Sequence, residues 1–102
     1  MKAITGAKIV IGDQILENHV LIFDEKISAI ESNEKFNERL SVGQQEIERM
    51  PCEGTLIPGF IDIHIHGACG HDVMDGTFEA IDSIAKGIVK TGTTAFLATT
   101  MT

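Results

Sequence analysis

No apolar run in the chain approaches membrane length: the stretch Val20 to Phe23 is four residues long, against the roughly 20 that a bilayer-crossing helix needs. The opening, Met1-Lys2-Ala3-Ile4-Thr5-Gly6, has none of the apolar core of a secretory signal, so the expected location is cytoplasmic. Cysteine is scarce. Cys52 and Cys69 are the only two, which fits a reducing compartment where an isolated pair is seldom a structural disulfide. Positive charge is also short: 8 Lys and Arg face 15 Asp and Glu, for a net charge of −7. Nucleic acid and anionic membranes both require clustered cations, so neither is an expected partner. What the chain does have is 43% hydrophobic residues over 102 positions, a composition that folds rather than stays disordered, on the scale of one small domain or part of a larger one.

The most informative stretch is Pro58-Gly59-Phe60-Ile61-Asp62-Ile63-His64-Ile65-His66-Gly67. On an extended strand alternate side chains share a face, which puts Phe60, Asp62, His64 and His66 on one side and Ile61, Ile63 and Ile65 on the other. His64 and His66 then stand roughly 6.5 to 7 Å apart along the strand, close enough for both rings to lean onto one cation at about 2.0 to 2.1 Å. Three isoleucines opposite a face without Lys, Arg or Glu predict a strand covered on both faces, as in a parallel sheet. Buried imidazoles need partners. Across proteins most His-X-His triplets bind nothing, and it is these flanks that favour a metal site here. Cys69, three residues past His66, is a candidate soft ligand or reactive thiol, with an ordinary loop cysteine as its simpler role. Asp72 and Asp75, between Gly70 and Gly76, are candidates for metal or substrate contact, with turns and caps as the simpler role.

Along the chain, Lys8–Ile11, His19–Phe23 and Ile27–Ile30 are strand-like segments separated by turn residues, predicting a β-meander. Residues 31 to 49 are polar, with Phe36 and Leu40 as sparse anchors. They fit a short helix or a loop, with the charged run as a solvated surface. The pattern changes near residues 52 to 58, which predicts a boundary between residues 1–57 and 58–102. Thr77 is a good N-cap, and Phe78, Ile81, Ile84, Ala85, Ile88 and Val89 recur at helical spacing. Asp82 and Lys86 can pair, and Gly92 suits the left-handed residue after a helix. With a strand at 93–100, the whole is strand, helix, strand, and such a crossover makes the two strands parallel neighbours.

The 58–67 stretch resembles the opening barrel strand of the amidohydrolase superfamily. The continuation Gly67-Ala68-Cys69-Gly70-His71-Asp72-Val73-Met74-Asp75-Gly76-Thr77, with Gly92-Thr93-Thr94-Ala95-Phe96-Leu97-Ala98-Thr99, is most similar to the members that deacetylate amino-sugar phosphates. The resemblance implies part of a small β-sandwich over 1–57, and over 58–102 the first β-α-β unit of a (β/α)8 barrel. It implies that His64 and His66 are metal ligands and that the site takes one or two divalent ions such as zinc, iron or manganese; it gives Asp62 no ligand role, and the expectation for Asp62 is to orient an imidazole from behind or to cap a backbone group. An amino-sugar phosphate substrate and a homo-oligomeric assembly are the partners it implies. The superfamily's Glu, its later histidines and its catalytic Asp have no counterpart before Thr102, and a complete barrel takes about 250 residues. The 102 residues are therefore expected to be inactive alone, as a truncated product, a fragment, or one half of a two-chain enzyme. The alternatives are a cyclic amide or imide hydrolase of dihydroorotase type and a non-catalytic β-rich interaction module.

Overall fold

A computed structural model describes residues 1–43 and 46–101. Gln44, Gln45 and Thr102, which fall within the polar 31–49 segment and the 58–102 region, lie outside the described residues. The chain divides into two compact units, Met1–Pro58 and Gly59–Thr102.

The first unit is built of short strands: β1 Lys2–Thr5, β2 Lys8–Ile11, β3 Gln14–Leu16, β4 His19–Phe23 and β5 Ile27–Ser32, then helix α1 Asn33–Ser41, β6 Glu48–Pro51 and β7 Thr55–Leu56. They form a four-stranded sheet in the order β5-β4-β1-β6 and a three-stranded sheet in the order β3-β2-β7. The expected meander is therefore corrected. β2 and β4 belong to different sheets, because the β2–β3 hairpin closes on itself (Ile9 opposite Leu16) and the chain then turns at Asn18, whose φ is +58°. β6 and β7 return to pair in parallel with β1 and β2. The core gathers Ala3, Val20, Ile22, Phe36 and Ile47, with Ala29 and Leu40 against it. Leu21, which alternation sends to the other face of β4, is also buried.

The polar segment after β5 resolves as a helix because Ser32 caps it, its hydroxyl accepting from Lys35 N at 3.2 Å, while Phe36 supplies the buried anchor. The charged run is not wholly solvated. Glu31 is only 5% exposed, and Arg39 reaches back one helix length to grip it, Nε to Oε1 at 2.7 Å and Nη2 to Oε2 at 3.0 Å.

The second unit contains β8 Phe60–Ile65, β9 Gly67–Ala68, β10 His71–Asp72, a 3-10 turn Val73–Asp75, α2 Phe78–Ile88, a 3-10 turn Val89–Thr91 and β11 Thr93–Ala98. β8 and β11 are parallel neighbours, with α2 in the connection. Thr77 Oγ1 accepts from Ala80 N at 3.1 Å, Lys86 Nζ pairs with Asp82 at 2.6 Å, and Gly92 takes φ +95° after the second 3-10 turn. β9 and β10 form a tight hairpin through Cys69 and Gly70, with φ of +55° and +77°, the pairing of a type I′ turn. Gly67 must be glycine here, since a Cβ would collide with the His71 carbonyl. Two sequence expectations fail. β8 is not covered on both faces, because β11 is its one partner strand among the described residues, and Ile61 and Ile63 stand 68% and 73% exposed. The α2 stripe is also narrower than its spacing suggested: Ala80 and Ile84 are buried, while Phe78 and Val89 are exposed, because the helix lies mainly against the small β9–β10 hairpin.

Candidate metal centre

The site lies at the C-terminal end of β8. The pleat sends His64 and His66 to one side of the strand, as alternation requires, and their rings converge. The centroids are 4.9 Å apart at an interplanar angle of 85°, and the two Nε2 atoms are separated by 3.2 Å. His64 is exposed and His66 half-buried, so the pair opens towards solvent instead of into a sealed cavity.

Backbone groups fix His66. Its Nδ1 lies 3.1 Å from the carbonyl of Thr99, just past the end of β11. A carbonyl only accepts, so Nδ1 is the donor, and in a neutral imidazole that leaves Nε2 as the lone pair. The Thr99 carbonyl is brought there by the parallel ladder, which continues past β11 as Thr99 N donates to the Ile65 carbonyl at 2.9 Å. Sequence reasoning had no means of finding Thr99, because the group that acts is a carbonyl every residue possesses.

Asp62 Oδ1 accepts from the backbone N of His64 at 3.1 Å, the backbone cap that was one of its two expected roles. Asp72 and Asp75 form a reciprocal cap, Asp72 Oδ1 accepting from Met74 N at 2.8 Å and Asp75 Oδ2 from Asp72 N at 3.0 Å. Asp75 also lies 3.9 Å from His71 Nδ1. These carboxylates serve the turn, in line with their simpler role. Cys69 projects its Sγ over Gly87 of α2, where a Cβ would overlap it, and both Cys52 and Cys69 are free thiols.

The donor set fits a cation in part. Two nitrogens each about 2.0 Å from a tetrahedral ion stand roughly 3.3 Å apart, and the imidazoles already hold that spacing. Among the described residues, however, no group of three or more His, Cys, Asp and Glu side chains is arranged to hold an ion, and stable zinc sites use three or four protein ligands. No helix among the described residues is long and apolar enough to cross a membrane.

The proteins to which the chain is similar are deacetylases. Over nearly all of its length it is similar to part of enzymes named N-acetylglucosamine-6-phosphate deacetylase. The chain is 43% identical to the Bacillus subtilis enzyme of that name over 92% of its residues, and 38% identical to the Vibrio furnissii enzyme over 89%. It superposes on the solved N-acetylglucosamine-6-phosphate deacetylase of Pasteurella multocida with a TM-score of 0.80 at 26% identity, over 95% of this chain and 24% of that one. The chain spans 23% and 22% of the lengths of the two curated relatives. No protein-family model matches it.

Proposed function

We propose that this chain forms the start of a metal-dependent N-acetylglucosamine-6-phosphate deacetylase and contributes the paired imidazoles of its metal site. The observation that carries the reading is the 3.2 Å approach of His64 Nε2 to His66 Nε2, with the His66 proton held on the far nitrogen by Thr99. On this reading residues 1–57 belong to a small β-sandwich, and 58–102 open a (β/α)8 barrel whose later strands bring a Glu, further histidines and the catalytic Asp. His64 and His66 hold a divalent ion, zinc, iron or manganese, in a complete site of one or two ions. When bound, such an ion supplies Lewis acidity to the acetamide carbonyl and acidifies water. The residues of this chain aim two neutral nitrogens at it. The substrate is an amino-sugar phosphate, the products glucosamine 6-phosphate and acetate, the working assembly a homo-oligomer and the location the cytoplasm.

The identity to the two enzymes named as deacetylases favours this over a cyclic amide hydrolase. The test has two arms. Zn2+ titration of the chain should show weak uptake that vanishes in H64A/H66A; uptake unchanged by the double substitution removes the ligand assignment. Acetate release from N-acetylglucosamine 6-phosphate by the purified 102 residues should be absent, because two imidazoles are too few ligands for a stable site. Turnover by the chain alone would refute the incomplete-site reading.

A further inference from the structure

We propose that Met74 is a positioning residue for the paired imidazoles: its thioether, added to the ladder bond between Thr99 N and the Ile65 carbonyl, holds the segment after β11 so that the Thr99 carbonyl meets the His66 ring and the lone pair of His66 Nε2 faces His64. The proposal rests on the metal-pair reading above and concerns how the pair is aimed.

A closed circuit of hydrogen bonds runs through His66. Its backbone carbonyl accepts from Val73 N at 2.7 Å, which starts the 3-10 turn directly beside the end of the histidine strand. Within that turn the Asp72 carboxylate fixes the backbone of Met74, and Asp75 in turn fixes Asp72. Met74 Sδ then accepts from Met101 N at 3.4 Å. Two residues back along the chain, the Thr99 carbonyl accepts a hydrogen bond from His66 Nδ1 at 3.1 Å, and the circuit closes on the ring. A thioether is a weak acceptor, so its contribution is direction more than strength. Met74 is 54% exposed, too open for its presence to be explained by core packing. The two aspartates that the sequence offered as possible ligands thereby gain a role one step removed, since they hold the turn that presents the sulfur.

M74L keeps nearly the same volume and removes the acceptor, whereas M74Q restores one through its amide oxygen. Long-range 1H–15N spectra of the metal-free chain report which ring nitrogen of His66 carries the proton. Wild type and M74Q should show one tautomer with the proton on Nδ1, and M74L a mixture of both. Zn2+ binding to M74L should be weaker than to wild type, by less than the roughly 10-fold that follows loss of a group bonded directly to a ligand, with M74Q close to wild type. An unchanged His66 tautomer in M74L overturns the proposal, as does failure of M74Q to restore it. Collapse of the amide spectrum in both variants also overturns it, since Met74 would then be supporting the fold. If instead M74L shifts the tautomer while H64A/H66A binds Zn2+ as wild type does, the metal reading fails and the positioning role stands.

Discussion

Glu31 carries the plainest consequence at the scale of one residue. The hydrogen bond from Arg39 holds its carboxyl below the usual carboxylate range, aided by the charges of Arg39 and Lys35 and opposed by burial. A carboxyl whose folded pKa lies below its unfolded value adds stability that is fully present above the unfolded value, about 4.3 for Glu, and is lost as pH falls through the folded one. Thermal melts of the first unit should therefore be level from neutral pH down to about 5 and fall steeply below about 4.3. E31Q should melt lower at neutral pH, because Arg39 loses its charged acceptor, and should show a shallower acid limb. Circular dichroism melts at stepped pH check this, and acid limbs of equal slope in both proteins would count against it. The pair was illegible in the sequence. Glu31 and Arg39 sit in a run of charges that looks solvated throughout, and only the turn of chain from β5 into α1 shows that one of them points inward.

The elements show a glycine tuned to its neighbour. Gly87 lies inside α2, where replacement of glycine by alanine ordinarily gains up to about 1 kcal/mol. Here the added Cβ would overlap Cys69 Sγ, so G87A should lower the melting temperature, while G87A in a C69A background should recover much or all of that loss. A double-mutant cycle of melts measures the coupling; additive effects would mean that thiol and helix do not touch. Thr77→Ala, which removes the cap on Ala80 N, should cost about 1 kcal/mol. The cap, the Asp82–Lys86 pair, Gly92 and the parallel strands were legible because each rests on local chemistry or on fixed spacing. The hairpin of β9 and β10 was not, since Cys69 in a left-handed conformation is an uncommon choice and two-residue strands leave no periodicity. The sheet order of the first unit escaped for another reason: β6 and β7 pair with strands more than forty residues earlier, and nothing local records a partner so distant.

At the scale of the whole molecule the two units differ in how they shelter apolar surface. The first closes around Ile22, 1% exposed, and the second buries Ile84 on the inner face of α2 yet leaves Ile61 and Ile63 open on β8. The alternation that placed the histidines together also placed these isoleucines together, so the face opposite the imidazoles was legible as apolar, but its exposure depends on which strands and helices cover it. Opposite outcomes follow for substitutions of the same residue type. I22A should cost about 2 to 5 kcal/mol, the range for deleting a buried aliphatic side chain. I61T/I63T should change stability by no more than about 0.5 kcal/mol per site, as exposed positions do, while reducing concentration-dependent association, because contiguous exposed apolar surface is what drives it. Urea melts read the first quantity and light scattering over a concentration series reads the second. A large loss of stability in I61T/I63T would mean that β8 is sheltered in solution, and light scattering would then show by what: association that persists in the variant points to a second copy of the chain, and a monomer points to cover from within it.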